Sequence, residues 1–264
     1  MDSSRANQQK NFLSKAKTLH SLHTKGAPLV LYNIWSVGSA KTVLEVGAQV
    51  IGTSSWSVAA DYGYEDGERI PLNLALENLE RITRVVTTPV TFDMEGGYTS
   101  DLTELMKTTE NIIKAGAVGV NFEDQVVGGD GLYPIPVQSE RIKAVRKVAD
   151  ECGMPLFINA RSDVFFKSDP KTHSRALLEE ALKRVHAYAE AGASGFFVPG
   201  LSDINLITEL CKKSPLPVNI MLLSDESSQE ALSAVGVARI SYGPYPYIKL
   251  MEMFKQQIAI AIKK

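Results

Sequence analysis

Proline and glycine punctuate this chain at eight places, and that punctuation limits its fold more than any other feature. Four segments open with proline and run into an apolar strand: Pro28-Leu29-Val30-Leu31, Pro89-Val90-Thr91-Phe92, Pro155-Leu156-Phe157-Ile158 and Pro217-Val218-Asn219-Ile220. Four others close a helical pattern on glycine and then turn apolar, at Val46-Gly47-Ala48, Ala115-Gly116-Ala117, Ala191-Gly192-Ala193 and Val235-Gly236-Val237. The two kinds alternate along the chain. Glycine fits the left-handed position that ends a helix, and proline is tolerated at the first residue of a strand. Helical patterns fill the intervals, as in Leu72–Val86, Leu102–Ala115, Ser139–Cys152, Ala176–Ala191 and Ile204–Lys212. Eight β-α units in 264 residues predict one domain over 1–264, a (β/α)8 TIM-type barrel. An open doubly wound sheet is the alternative, but it rarely alternates so regularly. Residues 10–25 predict a helix across one end of the barrel, and Tyr245–Lys264 the last helix.

Composition excludes several function classes. With 44% apolar and 22% charged residues the chain can bury a sizeable core. A net charge of −2 offers no basic field for nucleic acid or anionic lipid. The stretch Met1–Lys25 is rich in Ser, Gln and Lys and lacks the apolar segment of a signal peptide. No apolar run approaches the roughly 18 residues of a membrane span. Cys152 and Cys211 lie far apart and suggest neither a disulfide framework nor a paired-cysteine metal site. The expectation is a cytoplasmic protein whose partner is a small molecule, with no nucleic acid and no membrane.

In a barrel of this kind the chemistry sits at the C-terminal ends of the strands. Residues two apart on a strand share a face. The third strand then offers Thr91, Asp93 and Glu95, the fourth Asn121 and Glu123, the fifth Asn159 and Arg161, and the seventh Asn219. Each acid alone reads as a helix cap or a surface ion pair. Together, unpaired inside a barrel, they would cost several kcal/mol of desolvation. A purely structural ion cluster is one resolution; a divalent cation with an anionic ligand is the other. Oxygen ligands without nearby histidine or cysteine point to Mg2+, or Mn2+, over zinc. Mg2+ takes few protein carboxylates and keeps waters, so Asp93 is the expected direct ligand, with Glu95 and Glu123 acting through water. Asp66, in the turn Gly63-Tyr64-Glu65-Asp66-Gly67, is the candidate fourth acid. The segment Gly52-Thr53-Ser54-Ser55-Trp56 reads either as a carboxylate-binding turn at a helix start or as an ordinary N-cap. His20, His23, His173 and His186 read as surface or packing residues.

These residues, in this order and spacing, resemble the phosphoenolpyruvate mutase/isocitrate lyase superfamily over about Leu29 to Tyr245. The carrying motifs are Gly52-Thr53-Ser54-Ser55, Asp66, Asp93-Met94-Glu95-Gly96-Gly97-Tyr98, Asn121-Phe122-Glu123-Asp124-Gln125 and Asn159-Ala160-Arg161. The resemblance implies a barrel that binds Mg2+ and a small 2-oxo or 2-hydroxy carboxylate. It implies making or breaking a C–C or P–C bond beside that group through a metal-stabilised enolate. Asp93 matches the direct metal ligand, and Asp66, Glu95 and Glu123 the water-linked acids. Ser54 and Ser55 match the carboxylate-binding turn, and Arg161 the arginine that holds the anionic end of the substrate. Asn121, Asn159 and Asn219 join these as substrate-facing candidates. Homotetramers, as dimers of dimers with the last helix exchanged between subunits, are also implied.

The departures bear on the reaction. Lyases of the family carry a catalytic cysteine on the loop after strand four. Here that loop reads Gln125-Val126-Val127-Gly128-Gly129-Asp130-Gly131-Leu132-Tyr133-Pro134, without cysteine, lysine or histidine. Ser36 stands where relatives often have an acid or amide, and Pro199 where the mutase has histidine. Tyr133 and Asp130 are the candidate proton donors on a glycine-rich gating loop. The leading expectation is a Mg2+-dependent lyase or decarboxylase acting on a C–C bond. Phosphonopyruvate mutase or hydrolase chemistry and a non-catalytic metal–carboxylate barrel are the alternatives.

Overall fold

The computed structural model describes residues 3–223 and 228–262. Eight strands form one parallel sheet: β1 (Leu29–Leu31), β2 (Ile51–Gly52), β3 (Val90–Asp93), β4 (Gly119–Glu123), β5 (Phe157–Arg161), β6 (Gly195–Val198), β7 (Val218–Met221) and β8 (Arg239–Ser241). Their order is β1-β8-β7-β6-β5-β4-β3-β2. The first and last are joined just beyond their C-terminal ends, where Ile34 bridges Thr53. There the Ile34 amide donates to the Gly52 carbonyl at 2.9 Å and the Ser54 amide to the Ile34 carbonyl at 3.0 Å. The sheet thus closes into the expected (β/α)8 barrel.

The outer layer is α2 (Val37–Glu45), α3 (Ser55–Asp61), α4 (Leu72–Val85), α5 (Leu102–Lys114), α6 (Ile135–Glu151), α7 (Arg175–Glu190), α8 (Ile204–Lys213), α9 (Gln229–Ala234) and α10 (Tyr245–Ile262). Helix α1 (Ser3–Ser21) precedes them. Predicted and observed helices agree within a residue or two for α4, α5, α7 and α8. Helix α6 begins four residues before the predicted start, because Pro136 fits a helical first turn where its missing N–H costs nothing. Helix α1 ends before residue 25 at the Thr24–Ala27 turn. The last two residues of the predicted C-terminal helix lie outside the described residues. The four glycines that mark helix ends, Gly47, Gly116, Gly192 and Gly236, have φ between 91 and 102°.

Helix α1 plugs the N-terminal end of the barrel. Leu19 is fully buried, and its Cδ2 lies 2.6 Å from where a Cβ on Gly119 would stand, so only glycine fits at the start of β4. His23 stacks on Phe157 with ring centroids 3.9 Å apart. Burial, with the nearby Arg239 charge adding to it, pushes the His23 pKa down to about 3, so the ring packs as a neutral aromatic. With that end filled, the only ends of the strands left to host chemistry are the C-terminal ones. Cys152 follows α6 at the plugged end and Cys211 is buried on α8, both away from the mouth.

Candidate active site

The barrel mouth is built where β3, β4 and β5 end side by side. In register, Asp93 pairs with Asn121, and Glu123 with Arg161. Thr53 and Ser55, following β2, reach across to β3. The Thr53 hydroxyl accepts from the Asp93 amide at 2.9 Å. Asp93 Oδ2 accepts from the Ser55 amide at 3.1 Å and from its hydroxyl at 2.9 Å. Asp93 Oδ1 is buried with no hydrogen-bond partner. Ser54 is the N-cap of α3, its hydroxyl accepting from the Ser57 amide at 3.3 Å. The N-cap alternative therefore describes Ser54, and Ser55 orients an acid.

Glu95 and Glu123 are almost wholly buried beside Asp93. Burial, then the charges of Asp66, Glu123, Asp93 and Glu68, pushes the Glu95 pKa up to about 9. Burial likewise takes Glu123 up to about 8 against the opposing pull of Arg161. Asp66, on the exposed connection between α3 and α4, is raised by partial burial of its carboxyl and by the Asp93 charge. The structure therefore gathers all four predicted acids. Among the described residues no three acid, histidine or cysteine side chains converge tightly enough to be joint direct ligands.

Arg161 is clamped by carboxylates. Its Nη1 lies 2.9 Å from Glu123 Oε2, and Nε and Nη2 donate to the two oxygens of Asp163 at 2.6 and 2.9 Å. Burial would lower its pKa, but these carboxylates outweigh that and hold it well above the ordinary value. The rings of Phe166 and Phe197 lie 5.6 and 5.9 Å from the guanidinium carbon. Sequence reading missed Asp163, although it follows Arg161 by two residues and so shares its direction. The buried Asp124 ties the same loop from behind, accepting from the Asp163 amide at 3.0 Å, from Arg184 at 2.9 Å and from the Tyr188 hydroxyl at 2.8 Å.

The three asparagines lie deeper and bond one another. Asn159 Nδ2 donates to Asn121 Oδ1 at 2.9 Å and to Asn219 Oδ1 at 3.0 Å. Arg239, fully buried on β8, donates to Asn121 Oδ1 at 3.2 Å and to the Ser241 hydroxyl at 3.1 Å. Burial lowers its pKa to about 9, with Asp93 pulling the other way. This polar layer, with an arginine that sequence reading did not single out, is the floor of the mouth.

The loop after β4 forms a short hairpin with a bridge between Gln125 and Leu132. Its near side joins Gly67, Glu68, Glu95, Gly96 and Glu123 around a niche of about 20 Å3, room for about one water. Asp130 is exposed at the hairpin tip. Tyr133 packs its ring 4.6 Å from the Arg141 guanidinium, with its hydroxyl buried and unpartnered. Neither candidate donor is hydrogen-bonded to the acids among the described residues. Ser36 is the N-cap of α2, in a capping box with Ser39.

The chemistry of this donor set suits a hard divalent cation: one oriented carboxylate with a buried oxygen that no hydrogen bond meets, and further acids whose charges act on one another around it. Comparisons with known proteins bear on the family. The phosphoenolpyruvate phosphomutase family profile matches residues 19–262. An uncharacterized protein of Mycobacterium tuberculosis strain H37Rv is 30% identical over 87% of this chain and 83% of its own length. The 2-methylisocitrate lyase of Escherichia coli K12 is 28% identical over 78% of this chain and 69% of its own. A solved protein of Burkholderia cenocepacia J2315, provisionally described as a phosphonomutase, is 43% identical with a TM-score of 0.92, covering 95% of this chain and 99% of that one.

Proposed function

The chain belongs to the phosphoenolpyruvate phosphomutase family of the phosphoenolpyruvate mutase/isocitrate lyase superfamily, and on that premise we propose that it is a lyase whose mouth holds Mg2+ and cleaves a C–C bond in a small 2-oxo or 2-hydroxy carboxylate. The observation that carries the site is Asp93, fixed by two hydrogen bonds from Ser55 with its other oxygen buried and unpartnered. Asp93 would hold the ion directly, and Asp66, Glu95 and Glu123 through water. Mg2+, or Mn2+, would supply Lewis-acid stabilisation of the negative charge that develops as the bond beside the carboxylate breaks.

The chain's own groups have separable tasks. Ser55 holds Asp93 at a fixed angle. Burial and the neighbouring acids favour the protonated form of Glu95 while no cation is present, and an arriving cation would displace that proton. Arg161, kept cationic by Asp163 and Glu123, supplies a fixed positive charge at the mouth for the anionic end of the substrate. The hairpin at Gln125–Leu132 covers the acids and limits water.

The test is turnover of oxaloacetate and alkyl-substituted malates by the purified protein, with Mg2+ and with EDTA. Metal-dependent loss of substrate is expected; no turnover of any of them counts against lyase chemistry. The Burkholderia relative motivates a second reading, cleavage or transfer at a P–C bond, which phosphorus NMR of phosphonopyruvate with the protein separates from the first.

The exposed face of α10 motivates a proposed assembly. Past Tyr247 this helix exposes Leu250, Met253, Phe254, Ile258, Ile260 and Ile262, an apolar surface that a monomer rarely leaves in water. The proposed occupant is the α10 of a second copy, exchanged between subunits of a homotetramer.

A further inference from the structure

Among the described residues three non-glycine positions have left-handed backbone: Glu68, Glu95 and Tyr98, with φ of 62, 50 and 63°. Such conformations are strained and persist where surroundings over-determine them. All three belong to one contact. The Glu68 amide donates to Glu95 Oε2 at 2.9 Å, and Glu68 Oε1 accepts from the Tyr98 amide at 2.7 Å. The same Oε1 lies 3.2 Å from where a Cβ on Gly96 would stand, so it also sits against the middle of the turn.

The contact is reciprocal: one residue grips the side chain of Glu95 with its backbone and the backbone after Glu95 with its side chain. Other sides of the turn are held independently. The Glu123 amide donates to the Glu95 carbonyl at 2.9 Å, and Arg141 donates to the Gly96 carbonyl and, at 3.0 Å, to the Thr99 carbonyl. These bonds take the Glu95 and Gly96 carbonyls of the turn. The Tyr98 amide depends on Glu68.

We propose that Glu68 is a positioning residue, which holds the 95–98 turn in its left-handed form and thereby sets the Glu95 carboxylate at the cation site. The inference rests on reading the mouth as a Mg2+ site. It makes reach, not charge, the property that matters. Aspartate at position 68 keeps the charge and is one methylene too short to cap Tyr98; glutamine keeps the reach and a carbonyl acceptor.

Calorimetric titration of Mg2+ into the wild type, E68Q and E68D, with D93N as the reference for a lost ligand, tests it. E68D is expected to weaken Mg2+ binding about 10–100-fold, the effect of losing a group that orients a ligand, and E68Q to stay within about threefold of wild type. Adding Y98G to E68D removes the left-handed strain and is expected to restore part of the affinity. The opposite ranking, E68D native-like and E68Q weak, overturns the proposal, because Glu68 would then act only as a charge. Equal binding by wild type, E68Q and E68D also overturns it. Hydrogen exchange at the Tyr98 amide in metal-free protein gives a separate reading: faster exchange in E68D than in wild type is expected, and equal exchange overturns the clasp. A wild type that binds no Mg2+ would instead remove the metal-site reading, while the exchange result still judges the clasp.

Discussion

Asp93 Oδ2 accepts two hydrogen bonds from Ser55, at 3.1 Å from its amide and 2.9 Å from its hydroxyl, and Oδ1 remains buried without a partner. A buried carboxylate oxygen left unpaired costs stability unless a cation or proton meets it. Asp93→Ala is therefore expected to abolish both metal-dependent turnover and the Mg2+-induced rise in Tm, with the fold retained by circular dichroism. Ser55→Ala keeps the backbone bond and loses the hydroxyl one, worth about 1.5–3 kcal/mol to a charged acceptor, so Mg2+ affinity is expected to fall about tenfold or more. Undiminished activity in Asp93→Ala would remove Asp93 from the site.

The raised carboxylates give a pH signature with a definite sign. Glu95 is taken from 4.5 to about 9 and Glu123 from 4.5 to about 8 in the metal-free fold. Across that window the folded chain binds more protons than the unfolded one, so these groups make stability fall as pH rises through it. Mg2+ displaces the protons, so its stabilising effect is expected to grow between about pH 6 and 9, with proton release seen as buffer-dependent heats in calorimetry. A Mg2+ stabilisation that is flat over this range would show that the two glutamates do not face the ion.

The barrel and the acids were legible because both rest on local rules. Proline and glycine mark element ends through backbone geometry, and period two tells which residues share a strand face. Face, however, is not depth. Asn121, Asn159 and Asn219 point inward as read, yet they pair across the barrel and form the floor, which depends on strand register. Asp163 followed the same period as Arg161 but lay just past the strand as read. Glu68 sits in a connection with no periodicity, and only the tertiary fold brings it against the β3 turn. Arg239 begins a strand whose side chains carried no acid pattern to draw attention.

That floor yields a test of structural against substrate-contacting asparagine. Asn159→Ala removes the donor that joins Asn121 to Asn219 and so loses two buried hydrogen bonds, at about 0.5–1.5 kcal/mol each, while Arg239 and the Ser241 hydroxyl still donate to the two acceptors. A drop in Tm of roughly 2–4 °C per kcal/mol is expected, with Mg2+ affinity unchanged. An unchanged Tm with a raised KM would place Asn159 on the substrate instead.

Tyr133 and Asp130 are separated from the acids, one on Arg141 and the other at the exposed hairpin tip. Tyr133→Phe and Asp130→Asn are each expected to leave kcat within about twofold, because loss of a true general acid costs about 100-fold or more. A collapse of kcat in Tyr133→Phe, with KM and Tm preserved, would restore the tyrosine as proton donor through a rearrangement of the hairpin on substrate binding.

Helix α10 makes the last claim measurable without a substrate. Phe254 is 60% exposed and Ile258 39% exposed, on a helix whose residues from Leu250 onward are all open. Next to its first turns, Tyr32, Ile34, Trp35, Val43 and Val46 line a groove of about 550 Å3 together with Pro246 and Leu250. Apolar surface is worth about 25 cal/mol per Å2 when removed from water, so a helix of this composition gains by burying both faces against another copy. Phe254→Glu combined with Ile258→Glu would bring two carboxylates into that contact, which disfavours association strongly. Sedimentation is expected to show a tetramer for the wild type and smaller species for the double variant. A monomeric wild type at micromolar concentration would rule the exchanged helix out.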